Sequence, residues 1–162
     1  MRGVQIIQGA RGPVAVPEDA FIEAPWGIPA FRDEKSWVLI RPYSGYPIMI
    51  LQSTMTPYIS LPVTIPWIYH QDYQMKILDS TLIELGVYSR SEIEVLAVVG
   101  GGAVNPTINL FAPIVINRSS MVAMQATNQI GGYSTRDPLI PKGGMEPIRM
   151  DGWEFPSAVS AT

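Results

Sequence analysis

The sequence predicts an all-β protein, an antiparallel β-barrel-like or sandwich fold with one short helix. Fifteen prolines and fourteen glycines interrupt the chain. The apolar segments between them are short and recur about every 8–12 residues, which is typical of sandwiches and barrels. Between residues 109 and 117, one face is wholly apolar at the two-residue period of a strand. Short links between successive strands favour antiparallel pairing and a meander that closes into a barrel.

Ten segments are predicted as strands, because each is short, mostly apolar and bounded by turn-forming residues. In chain order they are Val4–Gln8, Ala20–Ala24, Ser36–Arg41, Pro47–Ser53, Leu61–Ile65, Gln74–Leu78, Ile93–Val99, Thr107–Phe111, Pro113–Asn117 and Met121–Ala126. Pro113 cannot donate to a ladder, so it is expected at a bulge or on an edge. Polar residues 118–120 turn the chain into the last strand, its expected hairpin partner.

One helix is predicted, from Asp79 to Leu85. Asp79 or Thr81 is positioned to accept hydrogen bonds from the free N–H groups of the first turn. Leu82 and Leu85 share a face, and Gly86 supplies the stop. The expected core is a set of apolar residues, mostly on strand faces: Trp37, Leu39, Ile48, Ile50, Ile77, Val95, Ala97, Leu110, Ile114 and Ile116.

The domain organisation follows from length and composition. At 162 residues the chain is one domain by size. Residues 1–140 are expected to form the β domain. Residues 141–162 are expected to be a mobile C-terminal tail, because prolines and glycines interrupt any period there and the last residues are small and polar. Trp153 and Phe155 suggest a further hypothesis, that the tail folds back over an apolar surface when no partner is bound.

Composition restricts the classes of function. Eleven basic and fourteen acidic residues give a net charge of −3, so no general attraction to nucleic-acid phosphate is expected. Charged residues make up only 15% of the chain, which favours a surface that binds partners. No cysteine is present, which excludes disulfides and thiolate metal sites and is compatible with the cytoplasm. No signal peptide and no membrane span are expected from the pattern of apolar residues.

No constellation of residues predicts catalysis, a cofactor or a metal. His70 is the only histidine, and no Gly-x-Ser-x-Gly elbow accompanies it. Glu92 and Glu94 share a strand face about 7 Å apart, and the expected interpretation is a solvated strand end. The glycines at 100–102 are followed by neither Lys-Ser nor Lys-Thr, and Pro106 disfavours a helix before it. The sequence therefore favours a binding protein over an enzyme.

Methionines suggest one kind of binding surface. Met121 and Met124 lie in or beside a predicted strand, and methionine packs adaptably against varied apolar shapes. They indicate either a groove that accepts an amphipathic helix or ordinary core filling. Two other functions stay open for a β-barrel: a small-ligand carrier that uses the interior, and an RNA-binding barrel. Basic residues are scattered without an aromatic stripe, which disfavours the RNA-binding interpretation.

Two motifs carry a resemblance to a known family. The run at residues 109–117, NLFAPIVIN, together with YSTRDPL at 133–139, resembles the FliW family of bacterial flagellar assembly factors. Phe21–Phe31 is similar to the early segment of that family, and Ile50–Ser53 to its LQS strand end. Matching blocks run from Phe21 to Leu139 in the expected order.

Two positions depart from the family pattern. Ala30 stands where the family usually has glycine. Either φ is positive there and alanine costs about 1 kcal/mol of stability relative to glycine, or the local turn differs slightly. Asp137 stands where histidine is common, which puts an anion beside Arg136 instead of a potential cation.

The resemblance implies a cytoplasmic regulator of flagellin synthesis. Such a protein would bind the translational repressor CsrA and, alternatively, flagellin, and would relieve repression when it holds CsrA. An acidic chain would attract a basic partner, with Asp33, Glu34, Asp72, Asp79, Glu84, Glu92 and Glu94 as candidates if several share a face. The candidate partner-binding residues are Asp72, Asn109, Asn117, Met121, Met124 and Arg136. For Asn109, Asn117 and Arg136, turn chemistry is an alternative role.

Overall fold

The computed structural model describes residues 3–28, 30–42, 46–143, 146–150 and 152–160. Within these ranges the chain is mostly β-structure. The strands are β1 (Val4–Gly9), β2 (Gly12–Pro17), β3 (Ile22–Glu23), β4 (Ser36–Ile40), β5 (Met49–Ser53), β6 (Ser60–Thr64), β7 (Ile93–Gly100), β8 (Thr107–Ile108), β9 (Ile114–Asn117), β10 (Val122–Gln125), β11 (Asp137–Pro138) and β12 (Val159–Ser160). The α-helices are α1 (Pro66–Tyr69) and α2 (Asp79–Glu84), and short 3₁₀ helices cover Glu18–Ala20 and Arg90–Glu92.

Seven strands close into a barrel, in the order β3, β4, β5, β6, β7, β9, β10 and back to β3. Six of these pairings are antiparallel, whereas β10 lies parallel to β3, with Val122 opposite Glu23. An odd number of strands cannot alternate in direction all the way round a ring, so one parallel pair is required. The predicted all-β barrel is confirmed, and the expectation of purely antiparallel pairing is wrong at this closure.

The barrel interior is filled with apolar side chains. Trp37, Leu39, Ala97, Leu110, Ile114 and Ile116 belong to this cluster, as predicted. Ile77 and Val95 are also buried, Ile48 packs on the cluster while partly exposed, and Ile50 is half-buried. The packed interior provides a rigid base for the surfaces described below.

Two further apolar clusters lie outside the barrel wall. One joins the β1–β2 hairpin to the outer side of β4 through Val14, Val16 and Val38. The other packs the α2 region on β9, where Leu85 and Val115 are both buried.

The predicted strands at Val4, Ser36, Pro47, Leu61, Ile93, Pro113 and Met121 are confirmed, with ends shifted by at most two residues. The segments predicted as Ala20–Ala24 and Thr107–Phe111 form only two-residue strands. In the second, the N–H groups of Leu110 and Phe111 donate to the carbonyl of Ser134 instead of continuing the ladder. The sequence did not predict β2, because Gly12, Pro13 and Pro17 are residues typical of turns.

The strand predicted at Gln74–Leu78 is wrong, because side chains replace a ladder there. The Lys76 N–H donates to Oδ1 of Asn128 at 3.0 Å, and the Gln74 N–H donates to the Tyr133 hydroxyl at 2.9 Å. These contacts fix an extended segment that contributes to a surface cleft.

The predicted helix is confirmed as α2, and Gly86 provides its stop with φ of 73°. Neither predicted cap is used, since Leu78 precedes the helix and no side chain caps it. The structure adds α1, where Pro66 at the first position has a φ suited to a helix and needs no N–H partner. The expectation of one helix is therefore corrected to two within the described residues. None of the helices in the described ranges has the length and apolar character needed to cross a membrane.

The chain beyond residue 140 packs on the barrel in the ranges that are described. The Ile148 N–H donates to the Ile68 carbonyl at 2.9 Å, and Met150 and Phe155 are buried in the interior cluster. Ala158 donates to the Leu39 carbonyl at 2.8 Å. This arrangement agrees with the fold-back hypothesis, while the mobility of residues 141–162 stays a prediction.

Candidate partner-binding surfaces

Asn117 is a buried junction between the barrel and the α2 region. Its Nδ2 donates to the Leu85 carbonyl at 2.8 Å, and its Oδ1 accepts from the Ser119 and Ser120 N–H groups at 3.0 and 3.3 Å. Only 7% of the residue is exposed. Its side chain is thus committed to closing the β9–β10 turn and to holding the end of α2.

Met121 and Met124 lie on different sides of the barrel wall. Met121 is 9% exposed, has φ of 58° and packs into the interior cluster. Met124 is half-buried and packs on the cluster beside α2. The two methionines therefore do not line one common groove, and Met124 is the more exposed of the two.

Asn109 and Arg136 meet at one surface cleft, which has a volume of about 550 Å³. Val98, Thr107 and Thr135 also line it. Here β8 pairs with β11, and the N–H groups of Leu110 and Phe111 donate to the Ser134 carbonyl, so the two motifs at 109–117 and 133–139 come together. We refer to this as the motif cleft.

Local turn chemistry shapes the motif cleft. Asn109 Oδ1 accepts from the Ala112 N–H at 2.9 Å, which stabilises the turn after β8. Ser134 Oγ accepts from the Arg136 N–H at 3.1 Å, and Asp137 Oδ2 accepts from the Ser134 N–H at 2.8 Å. The Arg136 side chain remains exposed, so it is available to an anionic or polar partner.

Asp72 is exposed and lies at a second cleft, next to the start of the tail. Tyr69, Gln71 and Lys142 line this cleft of about 540 Å³. Asp72 does not line the motif cleft, so the predicted site residues are divided among several surfaces.

A third cleft was not predicted from the sequence. It has a volume of about 600 Å³ and is lined by Trp67, Tyr73, Gln74, Met75, Lys76, Arg90, Ile93, Glu94, Val95 and Ile130. The misassigned segment after Tyr73 forms much of its rim. The dense aromatic residues between positions 67 and 73 were the available signal for it.

Tyr73 anchors the base of this third cleft. Its hydroxyl donates to the Leu110 carbonyl at 2.8 Å and accepts from Asn128 Nδ2 at 3.2 Å. Its ring lies against Trp67 and Tyr133, with centroid separations of 5.3 and 4.9 Å. Burial raises the pKa of Tyr73 to about 12, although the Asn128 hydrogen bond opposes that shift.

The acidic candidates do not form one solvated face. Glu34 is buried and accepts from Ser53 Oγ at 3.1 Å. Glu92 accepts from the N–H groups of Tyr88 and Ser89 and closes a capping box. These two carboxylates serve local structure.

Glu94 is partly buried, which contradicts the predicted solvated strand end. Its side chain is only 12% exposed and its Oε2 lies 3.6 Å from Nη1 of Arg118. Burial raises the pKa of Glu94, whereas nearby Trp153 and Arg118 lower it, and the net direction is upward. The Trp153 indole N–H is near this carboxylate without reaching full hydrogen-bond geometry.

The geometry around His70 supports a structural role. Its Nε2 lies 2.8 Å from the Pro138 carbonyl, so that nitrogen donates and ties the end of α1 to β11. Within the described ranges, no three or more His, Asp or Glu side chains are grouped closely enough to hold a metal ion.

A packed barrel interior and several clefts on the exterior define a β-barrel protein with surface clefts. The FliW protein family model matches residues 5–139. The chain therefore belongs to the FliW family, and this confirms the resemblance seen in the sequence.

Individual relatives agree with this assignment. The chain is 33% identical over 138 residues to a flagellar assembly factor FliW of Syntrophomonas wolfei, covering 84% of this chain and 88% of the relative. It is 28% identical over 130 residues to the factor of the same name from Bacillus subtilis, covering 79% and 91%. A crystal structure of the flagellar assembly factor FliW superimposes with a TM-score of 0.78 at 27% identity, covering 86% of this chain and 99% of that one.

Proposed function

We propose that this chain is a cytoplasmic regulator of flagellar assembly that binds the translational repressor CsrA and, alternatively, flagellin. Occupancy by flagellin would release CsrA, and loss of flagellin would allow the chain to hold CsrA and relieve repression of flagellin synthesis. The observation that carries the proposal is the family match over residues 5–139. Mutual exclusion follows if the two partners share or couple their sites, because each then lowers the apparent affinity for the other.

Charge supports the CsrA half of the proposal. The chain carries a net charge of −3, and a basic RNA-binding partner is attracted to an acidic protein. Asp72 is exposed at its cleft, which residues 141–143 at the start of the tail also line. We expect CsrA association to weaken with ionic strength more steeply than flagellin association, which depends on apolar contacts.

The proposed binding residues differ in how they would act. Asp72, Asn109 and Arg136 line surface clefts and would contact a partner directly. Met124, half-buried beside α2, would contribute apolar contact area. Asn117 and Met121 are buried, so they would act by shaping the β9–β10 turn.

Calorimetric titration of the full chain tests the proposal. Purified CsrA and purified flagellin are each titrated at several salt concentrations, and each is then titrated with the other already bound. Binding of both in isolation, with the first partner reducing the affinity for the second, supports the proposal. Binding of neither partner, or independent binding of both, overturns it.

Charge reversal at the motif cleft assigns the surface. Arg136→Glu is expected to weaken binding of at least one partner by tenfold or more, because the exposed guanidinium lines the cleft. Arg11→Glu is the matched control, since Arg11 is exposed in the β1–β2 turn and does not line this cleft. If both variants weaken binding equally, the change in net charge explains the effect, and Arg136 makes no specific contact with the partner.

A further inference from the structure

Two arginines of the barrel hold the tail by its backbone. The Arg41 guanidinium lies 5.0 Å from the centroid of the Trp153 ring, and its Nη1 donates to the Trp153 carbonyl at 3.3 Å. Nη2 of Arg118 donates to the Glu154 carbonyl at 3.1 Å. Carbonyl groups are common to all peptides, so the arginines fix the path of a chain without specifying most of its side chains.

Aromatic rings supply the specific part of this contact. Trp153 and Phe155 are stacked, with centroids 5.8 Å apart and ring planes within 7°. Phe155 is buried in the interior cluster and Trp153 packs on its edge while partly exposed. Residues two apart in an extended chain lie on the same face, so both rings are presented to the barrel together.

The tail then adds to the sheets as a strand. The Ala158 N–H donates to the Leu39 carbonyl at 2.8 Å, and the Ala158 side chain is fully buried. Beyond it, β12 pairs antiparallel with β2 through Val159 opposite Ala15. Many proteins bind an extended peptide from a partner through main-chain pairing of this kind.

The docked tail leaves polar atoms unmatched. Arg41 Nε and Trp153 Nε1 are buried and meet no acceptor in hydrogen-bond geometry. Burial of a donor without an acceptor costs free energy. Of the two atoms only Arg41 Nε belongs to the barrel, so a segment that offered this atom an acceptor would make a hydrogen bond that the tail does not make.

The tail also lies beyond the part of the chain that the family shares. The family model ends at residue 139. Residues 141–162 therefore lie outside the range that the family model matches.

We propose that the surface around Arg41 and Arg118 is a peptide-docking site and that the tail is its internal, displaceable occupant. The external ligand is an extended protein segment with aromatic residues at i and i+2 and a small residue at i+5, as at positions 153, 155 and 158 of this chain. This inference rests on contacts within the chain and goes beyond binding of CsrA or flagellin.

Because the tail is covalently attached, it competes with an external peptide for the site at a high effective concentration, in the millimolar range for short flexible links. An external peptide therefore binds the intact chain weakly. Weakening the internal contact with Trp153→Ala opens the site without removing Arg41 or Arg118. The expected increase in affinity for an external peptide is at least tenfold.

The affinity for an external peptide is measured by fluorescence anisotropy with a labelled synthetic peptide that copies residues 148–160. The peptide is titrated with the full-length chain and with the full-length Trp153→Ala variant. Adding Arg41→Ala to that variant is expected to reduce peptide binding, whereas adding Lys142→Ala, an exposed basic residue at another cleft, leaves it unchanged. A peptide with both aromatic residues replaced by alanine is expected not to bind.

Hydrogen exchange on the unmodified chain gives a second readout that does not depend on the variant being folded. Excess peptide is expected to accelerate exchange of the chain's own Ala158 amide, because the peptide displaces the tail from Leu39. Equal peptide affinity for both chains, or unchanged Ala158 exchange, overturns the proposal. A dimer formed by tail exchange between two copies would assign the surface to a second copy and would also overturn it.

Discussion

The Asn117 side chain reaches from the end of β9 to the Leu85 carbonyl at the end of α2, over a hydrogen bond of 2.8 Å. One amide therefore connects the barrel wall to the helix packed outside it. The same side chain closes the turn that leads into β10. This explains how a residue of the NLFAPIVIN motif contributes to the fold without being exposed.

Replacement of Asn117 by alanine is expected to destabilise the chain by about 2–3 kcal/mol, because it removes three hydrogen bonds and leaves the Leu85 carbonyl without its donor. Urea unfolding followed by circular dichroism measures the change. Asn109→Ala is the matched control, since the Asn109 side chain accepts one described hydrogen bond, and is expected to cost about 1 kcal/mol. A loss at Asn117 no larger than at Asn109 would contradict the junction role.

Ala30 has φ of 75°, in the left-handed region that glycine adopts without a steric penalty. The turn around it is closed by pairing of Ile28 with Phe31. Position 30 thus keeps the conformation expected of the family's glycine, and the alternative of a different turn is not needed to explain it.

Ala30→Gly is therefore expected to stabilise the chain by about 1 kcal/mol through relief of backbone strain. Thermal unfolding detects this as a rise in midpoint. Ala103→Gly, in an exposed loop where alanine has ordinary φ, serves as the control and is expected to give no gain. A gain at Ala103 as large as that at Ala30 would refute the explanation.

Local patterns predicted most of the barrel because strand period and turn residues are encoded by neighbours in sequence. The closure between β3 and β10 was not accessible in this way, since it depends on two segments about a hundred residues apart and on the number of strands between them. The strand prediction for Gln74–Leu78 was wrong for a related reason. Its apolar residues have the composition of a strand, but Asn128 and Tyr133 supply its partners from a distant loop.

The candidate site was predicted only in part. The sequence motifs identified Asn109 and Arg136, which the fold brings to one cleft. The motifs could not separate Asn117, whose side chain is buried, from residues that face solvent. Glu94 appeared solvated at the start of its strand because the sequence does not reveal that Trp153 returns from the tail to lie near it.

Burial raises the pKa of Glu94, so the folded chain disfavours its charged form. Glu94 therefore contributes stability in its protonated form. This contribution is fully present below the ordinary pKa of 4.5 and is lost as pH rises through the pKa of Glu94 in the folded chain. Glu94→Gln is expected to be more stable than the parent chain at neutral pH, with a difference that disappears in acid. Unfolding free energies between pH 4 and pH 8 measure this. A variant less stable than the parent at pH 7 would contradict it.

Arg118→Ala provides the cross-check on the Glu94 prediction. The guanidinium lies 3.6 Å from Glu94 and lowers its pKa. Lys76 and Arg90 line the same cleft as Glu94, together with Tyr73. Removing Arg118 is expected to enlarge the stabilisation gained from Glu94→Gln, and a double-mutant cycle measures the coupling.

Tyr73 gives the corresponding prediction at alkaline pH. Its pKa is about 12 because burial disfavours the phenolate, and its hydroxyl donates to the Leu110 carbonyl. A raised pKa in the folded state contributes stability below the ordinary value of 10, and that contribution is lost as pH rises toward about 12. Unfolding free energies of the parent chain and Tyr73→Phe, measured between pH 8 and pH 11.5, are expected to converge as pH rises.

At neutral pH the variant is expected to be less stable by about 1–2 kcal/mol, since it loses a buried hydrogen bond to Leu110. A difference that stays constant across this range would mean that the Tyr73 hydroxyl is not protected by burial.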